Sequence, residues 1–115
     1  MIRMNEYSIT KIDDNNASVS FTVNGDLKYF EGHFDVQHLV PAFIQIDWVQ
    51  SFVKEIFLIE LSGNSPMINF SSPMLPDDKV ELLLKLNRDK GNVQFTYTLT
   101  DKNTQASSGK IKFYE

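Results

Sequence analysis

The chain has no cysteine. That absence excludes thiol nucleophiles, disulfides, and cysteine-ligated zinc or iron-sulfur centres, and it fits a reducing compartment, so the cytoplasm is the expected location. Basic clusters are missing too. Eleven Lys and Arg face fifteen Asp and Glu, a net charge of −4, and no run could neutralise a phosphate backbone. Nucleic acid is therefore not an expected ligand. Long apolar runs are also lacking: the most apolar stretch, Phe43 to Leu61, is broken by Gln45, Asp47, Gln50, Lys54 and Glu55, and Met1 to Glu6 carry no apolar signal core. A soluble protein without membrane insertion is expected.

What is present suffices for one domain, 1–115, which can bury somewhat over about 60% of its unfolded surface without a metal or disulfide. Period-two patterning predicts strands over Glu6 to Ile12 and Ala17 to Val23, joined by a turn at Asp13-Asp14-Asn15-Asn16, with Ala17, Val19, Phe21 and Val23 on one face. Asn24-Gly25-Asp26 breaks the second strand, and Leu27 to Val40 reads as an irregular, aromatic-rich loop carrying both histidines. Pro41 suits the first turn of a helix, and no Gly or Pro follows until Gly63, which predicts one helix of about twenty residues capped there. At 100° per residue Trp48, Val49, Phe52, Val53, Ile56, Phe57 and Ile59 share a wide arc, while Asp47, Gln50, Ser51, Lys54 and Glu55 share the other side. Gln45 falls on the apolar arc and so needs a buried hydrogen-bond partner.

Four further strands are expected: Met67 to Ser71, one through Val80, Leu82, Leu84 and Leu86, one through Val93, Phe95, Tyr97 and Leu99, and Ala106 to Tyr114 through Ile111 and Phe113. Asp89-Lys90-Gly91-Asn92 and Asp101-Lys102-Asn103-Thr104 supply turns. An antiparallel β-sheet wrapped around one long central helix, an α+β architecture, buries both sets of apolar faces.

The chemistry concentrates in Tyr29-Phe30-Glu31-Gly32-His33-Phe34, followed by Pro41-Ala42-Phe43 and Asp47. An imidazole exchanges protons near neutral pH, and a carboxylate near a helix N-terminus can orient a hydroxyl and handle its proton. Taken singly, a loop histidine is usually solvated or structural and a helical Asp usually belongs to a polar face; their ordered spacing singles them out. Those residues resemble the hot-dog-fold 3-hydroxyacyl-[acyl carrier protein] dehydratase family, whose Gly-His-Phe-Pro loop precedes Pro-Gly-Val at the central helix and a Glu or Asp one turn in. A second motif of the family, Phe, then Pro-Val, then Pro-Gly-Asp before a long strand, is matched by Phe70-Ser71-Ser72-Pro73-Met74-Leu75-Pro76-Asp77-Asp78. Gln45-Ile46-Asp47-Trp48 is most similar to the small members associated with aryl polyene or unusual fatty acid synthesis.

The resemblance implies a hot-dog fold and a dehydration giving a trans-2-enoyl thioester in fatty acid or polyene-type lipid biosynthesis. His33 takes the proton alpha to the thioester carbonyl, and Asp47 binds the 3-hydroxyl and helps it leave as water. Gly32, Phe34, Ala42 and Phe43 frame the substrate, with the Ala42 N–H directed at the enolate oxygen. No metal or redox cofactor is implied. The substrate rides on acyl carrier protein or coenzyme A, and His33 and Asp47 of one site come from opposite subunits of a homodimer, which can assemble further.

The chain also departs from that pattern. Asp35 stands where the family commonly has proline, two residues from His33, a position from which it can favour the protonated imidazole. His38 replaces a second proline, Ala42 a glycine, and Asp77 the glycine of the Pro-Gly-Asp turn, which leaves room for a different turn. For Asp35, His38 and Gln45 structural roles are favoured, and the acidic pairs Asp13-Asp14 and Asp77-Asp78 read as turn residues. Two other classes stay open: a hot-dog acyl thioesterase, and a non-catalytic acyl-thioester-binding or partner subunit.

Overall fold

The computed structural model describes residues 7–23, 40–62 and 67–113. Their elements run β1 (Tyr7–Lys11), β2 (Asn16–Thr22), α1 (Ala42–Phe57), β3 (Met67–Phe70), β4 (Lys79–Asn87), β5 (Asn92–Leu99) and β6 (Thr104–Lys112). Every pairing is antiparallel in one sheet of order β1-β2-β4-β5-β6-β3. This is the expected sheet with one helix, and the strand boundaries move by only one or two residues. Phe113, expected inside the last strand, instead meets Leu61 in an isolated bridge.

The period-two faces are the reason for the packing. Ala17, Val19, Phe21, Val80, Leu82, Leu84, Leu86, Val93, Phe95, Tyr97 and Leu99 are all buried on the side that receives α1. Ile44, Trp48, Val49, Phe52 and Val53 of the helix meet them, with Trp48 edge-on to Phe21 at 5.2 Å. On β1, Tyr7 packs edge-on against Phe52 and its hydroxyl donates to the Glu55 carboxylate at 3.2 Å. Among the described residues no helix is long and apolar enough to cross a membrane.

The helix is shorter than its sequence suggests. It has 16 residues rather than about twenty, and it stops because Leu58 turns left-handed at φ 60°, ψ 34°, its N–H still bonded to the Lys54 carbonyl. The expected cap, Gly63, lies outside the described residues. Leu58 is 86% exposed, so its side chain adds little packing to offset the clash of Cβ with backbone in this conformation. Leu58→Gly is therefore expected to stabilise the protein by about 0.5 to 1 kcal/mol, the relieved clash exceeding the added unfolded-state entropy. A thermal melt reads this as a rise of a few degrees, and a fall would show that the leucine side chain holds the helix end.

The turn at Leu75-Pro76-Asp77-Asp78 keeps a left-handed residue where the family has glycine. Asp77 has φ 70°, Asp78 N–H donates to the Leu75 carbonyl, and the Asp78 carboxylate accepts from Leu75 N–H at 2.8 Å while pairing with Lys102 at 3.1 Å. Aspartate tolerates this region better than most residues, so the turn survives the substitution. Asp77-Asp78 is thus a turn and its cap, as the sequence suggested. The same stretch holds the chain on either side of residues 24–39. Val23 exchanges backbone hydrogen bonds with Asp77 and Asp78, and Val40 N–H donates to the Met74 carbonyl at 2.8 Å.

Candidate active site

Gly32, His33 and Phe34, together with Asp35 and His38, lie outside the described residues. Ala42, Phe43, Gln45 and Asp47 lie on the first turns of α1. Pro41, at the N-cap, has an extended backbone and offers no capping side chain, while Ile44 and Gln45 N–H donate to its carbonyl. The amides of Ala42 and Phe43 then have no partner within the helix, and they sit at the positive end of its dipole.

An open pocket of about 520 Å³ lies beside this helix start, lined by Val40, Pro41, Ala42, Gln45, Phe70, Ser71, Ser72 and Pro73. Its far wall is the chain leaving β3, fixed because Ser71 and Ser72 N–H both donate to the Ala106 carbonyl. A register shift beside Tyr97 in the β5–β6 ladder makes Ala106 an extra residue in β6, so its carbonyl is released from the ladder toward these two amides. A larger open groove of about 620 Å³ lies elsewhere, bounded by Tyr7, Ser20, Thr22, Asp77, Lys79 and Thr100 among others. None of the sequence-predicted site residues among the described ones lines it, so the mainly apolar pocket at the helix start is the better candidate for an acyl group.

Of the described residues expected to meet substrate, Ala42 lines that pocket. Phe43 points outward at 68% exposure, and Asp47, half-buried, is not among the lining residues. One chain therefore does not bring Asp47 and Ala42 together in this cavity. Trp48 is fully buried against Phe21, which makes it core rather than pocket wall.

The partner that Gln45 needed is present. Gln45 is 2% exposed, its Nε2 donates to the Val40 carbonyl at 3.1 Å, and its Oε1 accepts from Ser107 Oγ at 2.6 Å. Tyr97 OH donates to the Gln45 backbone carbonyl at 2.6 Å. Nothing in the sequence near Ser107 announced this role; its only signal is a phase shared with Ile111 on the inward face of β6.

Burial, and secondarily the negative charge of Asp47, push the Tyr97 phenol well above its ordinary value of 10.0. With the folded value raised above the unfolded one, stability is intact below about pH 10 and falls as pH climbs through the interval between the two. The limiting slope is about 1.4 kcal/mol per pH unit. Tyr97→Phe is expected to flatten that alkaline loss in urea titrations between neutral pH and about pH 11, and an unchanged slope would assign it to other groups.

Among curated protein sequences no significant relative is found. Solved structures match closely. The dehydratase heterocomplex ApeI:P from Xenorhabdus doucetiae superposes with TM-score 0.83 at 29% identity, over 94% of this chain and 95% of that one. An uncharacterised protein from Erwinia carotovora subsp. atroseptica matches at 30% identity and TM-score 0.76, covering 95% and 92%. A thioesterase-type protein from Streptococcus pneumoniae with coenzyme A shares the hot-dog fold at only 12% identity, TM-score 0.68, covering 94% and 84%. The model of ApeI dehydratases matches residues 9–110, nearly the whole sheet together with the helix and its pocket, and the chain belongs to the ApeI-like dehydratase family.

Proposed function

We propose that the protein is a 3-hydroxyacyl-thioester dehydratase acting on acyl groups carried by acyl carrier protein or coenzyme A. The observation that carries this reading is the apolar pocket opening against the α1 N-terminus, whose first amides have no partner within the helix, in a chain of this family. The acyl group lies along Val40, Pro41, Phe70 and Pro73, and its thioester carbonyl accepts from the Ala42 N–H. His33 removes a proton from C2, electron density moves onto the thioester oxygen as an enolate, and the amide and helix dipole stabilise that charge. The enolate then collapses to the C2–C3 double bond as the C3–O bond breaks, and Asp47 delivers the proton with which hydroxide leaves as water. Catalysis by these groups involves no redox change.

The site is built from two copies of the chain. Asp47 lies outside the pocket beside its own Ala42, which suits an acid that serves the histidine of a second subunit. Among the described residues β3 is an edge strand whose Met67 and Phe70 are exposed, and the exposed Phe43 follows the pocket residue Ala42 in the chain. An unpaired edge carrying apolar side chains is a surface that another chain covers. The Xenorhabdus relative is described as a heterocomplex, so an unlike partner is the alternative occupant.

The deciding experiment incubates the purified protein with a 3-hydroxyacyl thioester and follows enoyl thioester and free thiol separately. Enoyl product without thiol release is expected. Thiol release without enoyl product would make the protein a thioesterase, and binding without either would make it an acyl-binding subunit.

A further inference from the structure

Gln45 is an amide among apolar residues, and its connections explain why the helix can begin where it does. Its side chain and backbone join three segments distant in sequence or outside the helix: Val40, before the helix; Ser107, in the bulged strand behind the far wall of the pocket; and, through the Gln45 backbone carbonyl, Tyr97 of β5. The amide can satisfy both side-chain contacts only one way round, because the Val40 carbonyl requires the NH₂ and the Ser107 hydroxyl can give its proton to the oxygen. Val40 is consequently held by both backbone groups, its N–H on Met74 and its carbonyl on Gln45. Two residues later comes the Ala42 amide. Ser107 is adjacent to Ala106, whose carbonyl fixes Ser71 and Ser72 on the opposite wall. One buried side chain thus connects the two walls between which an acyl thioester would lie.

We infer that Gln45, locked by Ser107, is a positioning residue that fixes the Ala42 amide against the Phe70–Pro73 wall, and so sets the oxyanion geometry of the dehydration. It is not a catalytic residue, since its amide is committed to Val40 and Ser107. This inference refines the dehydratase reading, but its structural part is independently measurable. A displacement of an oxyanion donor by a fraction of an ångström lowers the rate without equally weakening ground-state binding.

The test uses Gln45→Met, which keeps length and volume but removes both hydrogen bonds, and Ser107→Ala, which leaves Gln45 in place and releases its oxygen. Hydrogen exchange of the backbone amides of Val40, Ile44 and the residue that follows Ile44 is compared with exchange in central strands β4 and β5, alongside kcat and KM. Expected are at least about tenfold faster exchange at the helix entry with the central strands unchanged, a roughly tenfold to hundredfold lower kcat, and KM within about threefold. The double variant should be no slower than Gln45→Met alone. Unchanged exchange at the entry in Ser107→Ala overturns the inference, as does a kcat within about twofold of an active wild type despite faster exchange. Should the wild type show no dehydration while entry exchange still rises, the positioning role stands and the dehydratase reading is the part that fails.

Discussion

Asp47→Asn is expected to reduce kcat/KM for 3-hydroxyacyl dehydration about a thousandfold, close to about 4 kcal/mol of transition-state stabilisation, while the protein stays folded. Asparagine preserves the shape of this half-buried side chain and can still hydrogen-bond a hydroxyl, but it cannot deliver the proton that turns hydroxide into water. The substitution therefore separates orientation from proton transfer, and KM should move far less than kcat. A rate within about threefold of wild type would remove Asp47 from the mechanism. The proposed two-chain site adds a sharper check. Mixing inactive His33→Ala with inactive Asp47→Asn and allowing subunits to exchange should restore about a quarter of wild-type activity. Random pairing makes half the dimers mixed, and each mixed dimer contains one intact site of two. No recovery after demonstrated exchange would place both residues in one chain.

Gly109→Ala should be the most damaging single-methyl change in the sheet, costing about 3 kcal/mol and lowering the melting temperature by roughly 10 °C or more. Gly109 lies in β6 between Phe95 of β5 and Ile68 of β3. A Cβ there would fall 2.0 Å from the Met67 carbonyl oxygen and 2.8 Å from the Phe95 ring. The ring could shift, but the carbonyl belongs to the neighbouring backbone, so β3 must move away. Phe95→Leu should consequently fail to rescue the variant. Because β3 leads directly into the Phe70–Pro73 wall, activity should fall further than the folded fraction alone accounts for. A loss below about 1 kcal/mol would show that the edge strand adjusts freely.

The elements were legible wherever side chains alternate strictly. Val80 to Leu86 and Val93 to Leu99 announced central strands because each exposes one face and buries the other. The end of α1 was not, since no glycine marks it and an exposed leucine adopts the left-handed conformation instead. For the pocket at the helix start, the family resemblance pointed to Ala42, which lines it, and the apolar arc flagged Gln45 as needing a buried partner. The sequence could not supply Ser107, because a serine in the phase of Gly109 and Ile111 looks like any other strand residue until the bulge and the helix bring it to Gln45. Nor could it show that Asp47 lies apart from its own chain's pocket, which depends on how the helix is rotated on the sheet.

Val23 and Val40, the residues on either side of 24–39, are both tied by backbone hydrogen bonds to the stretch from Met74 to Asp78. The two flanks of the segment that carries His33 are therefore clamped to one common anchor. Those bonds join backbone groups only, so they do not depend on which side chains the flanking residues carry. Any change that moves the Met74–Asp78 turn is thus expected to move both flanks together, along with the start of α1 two residues beyond Val40.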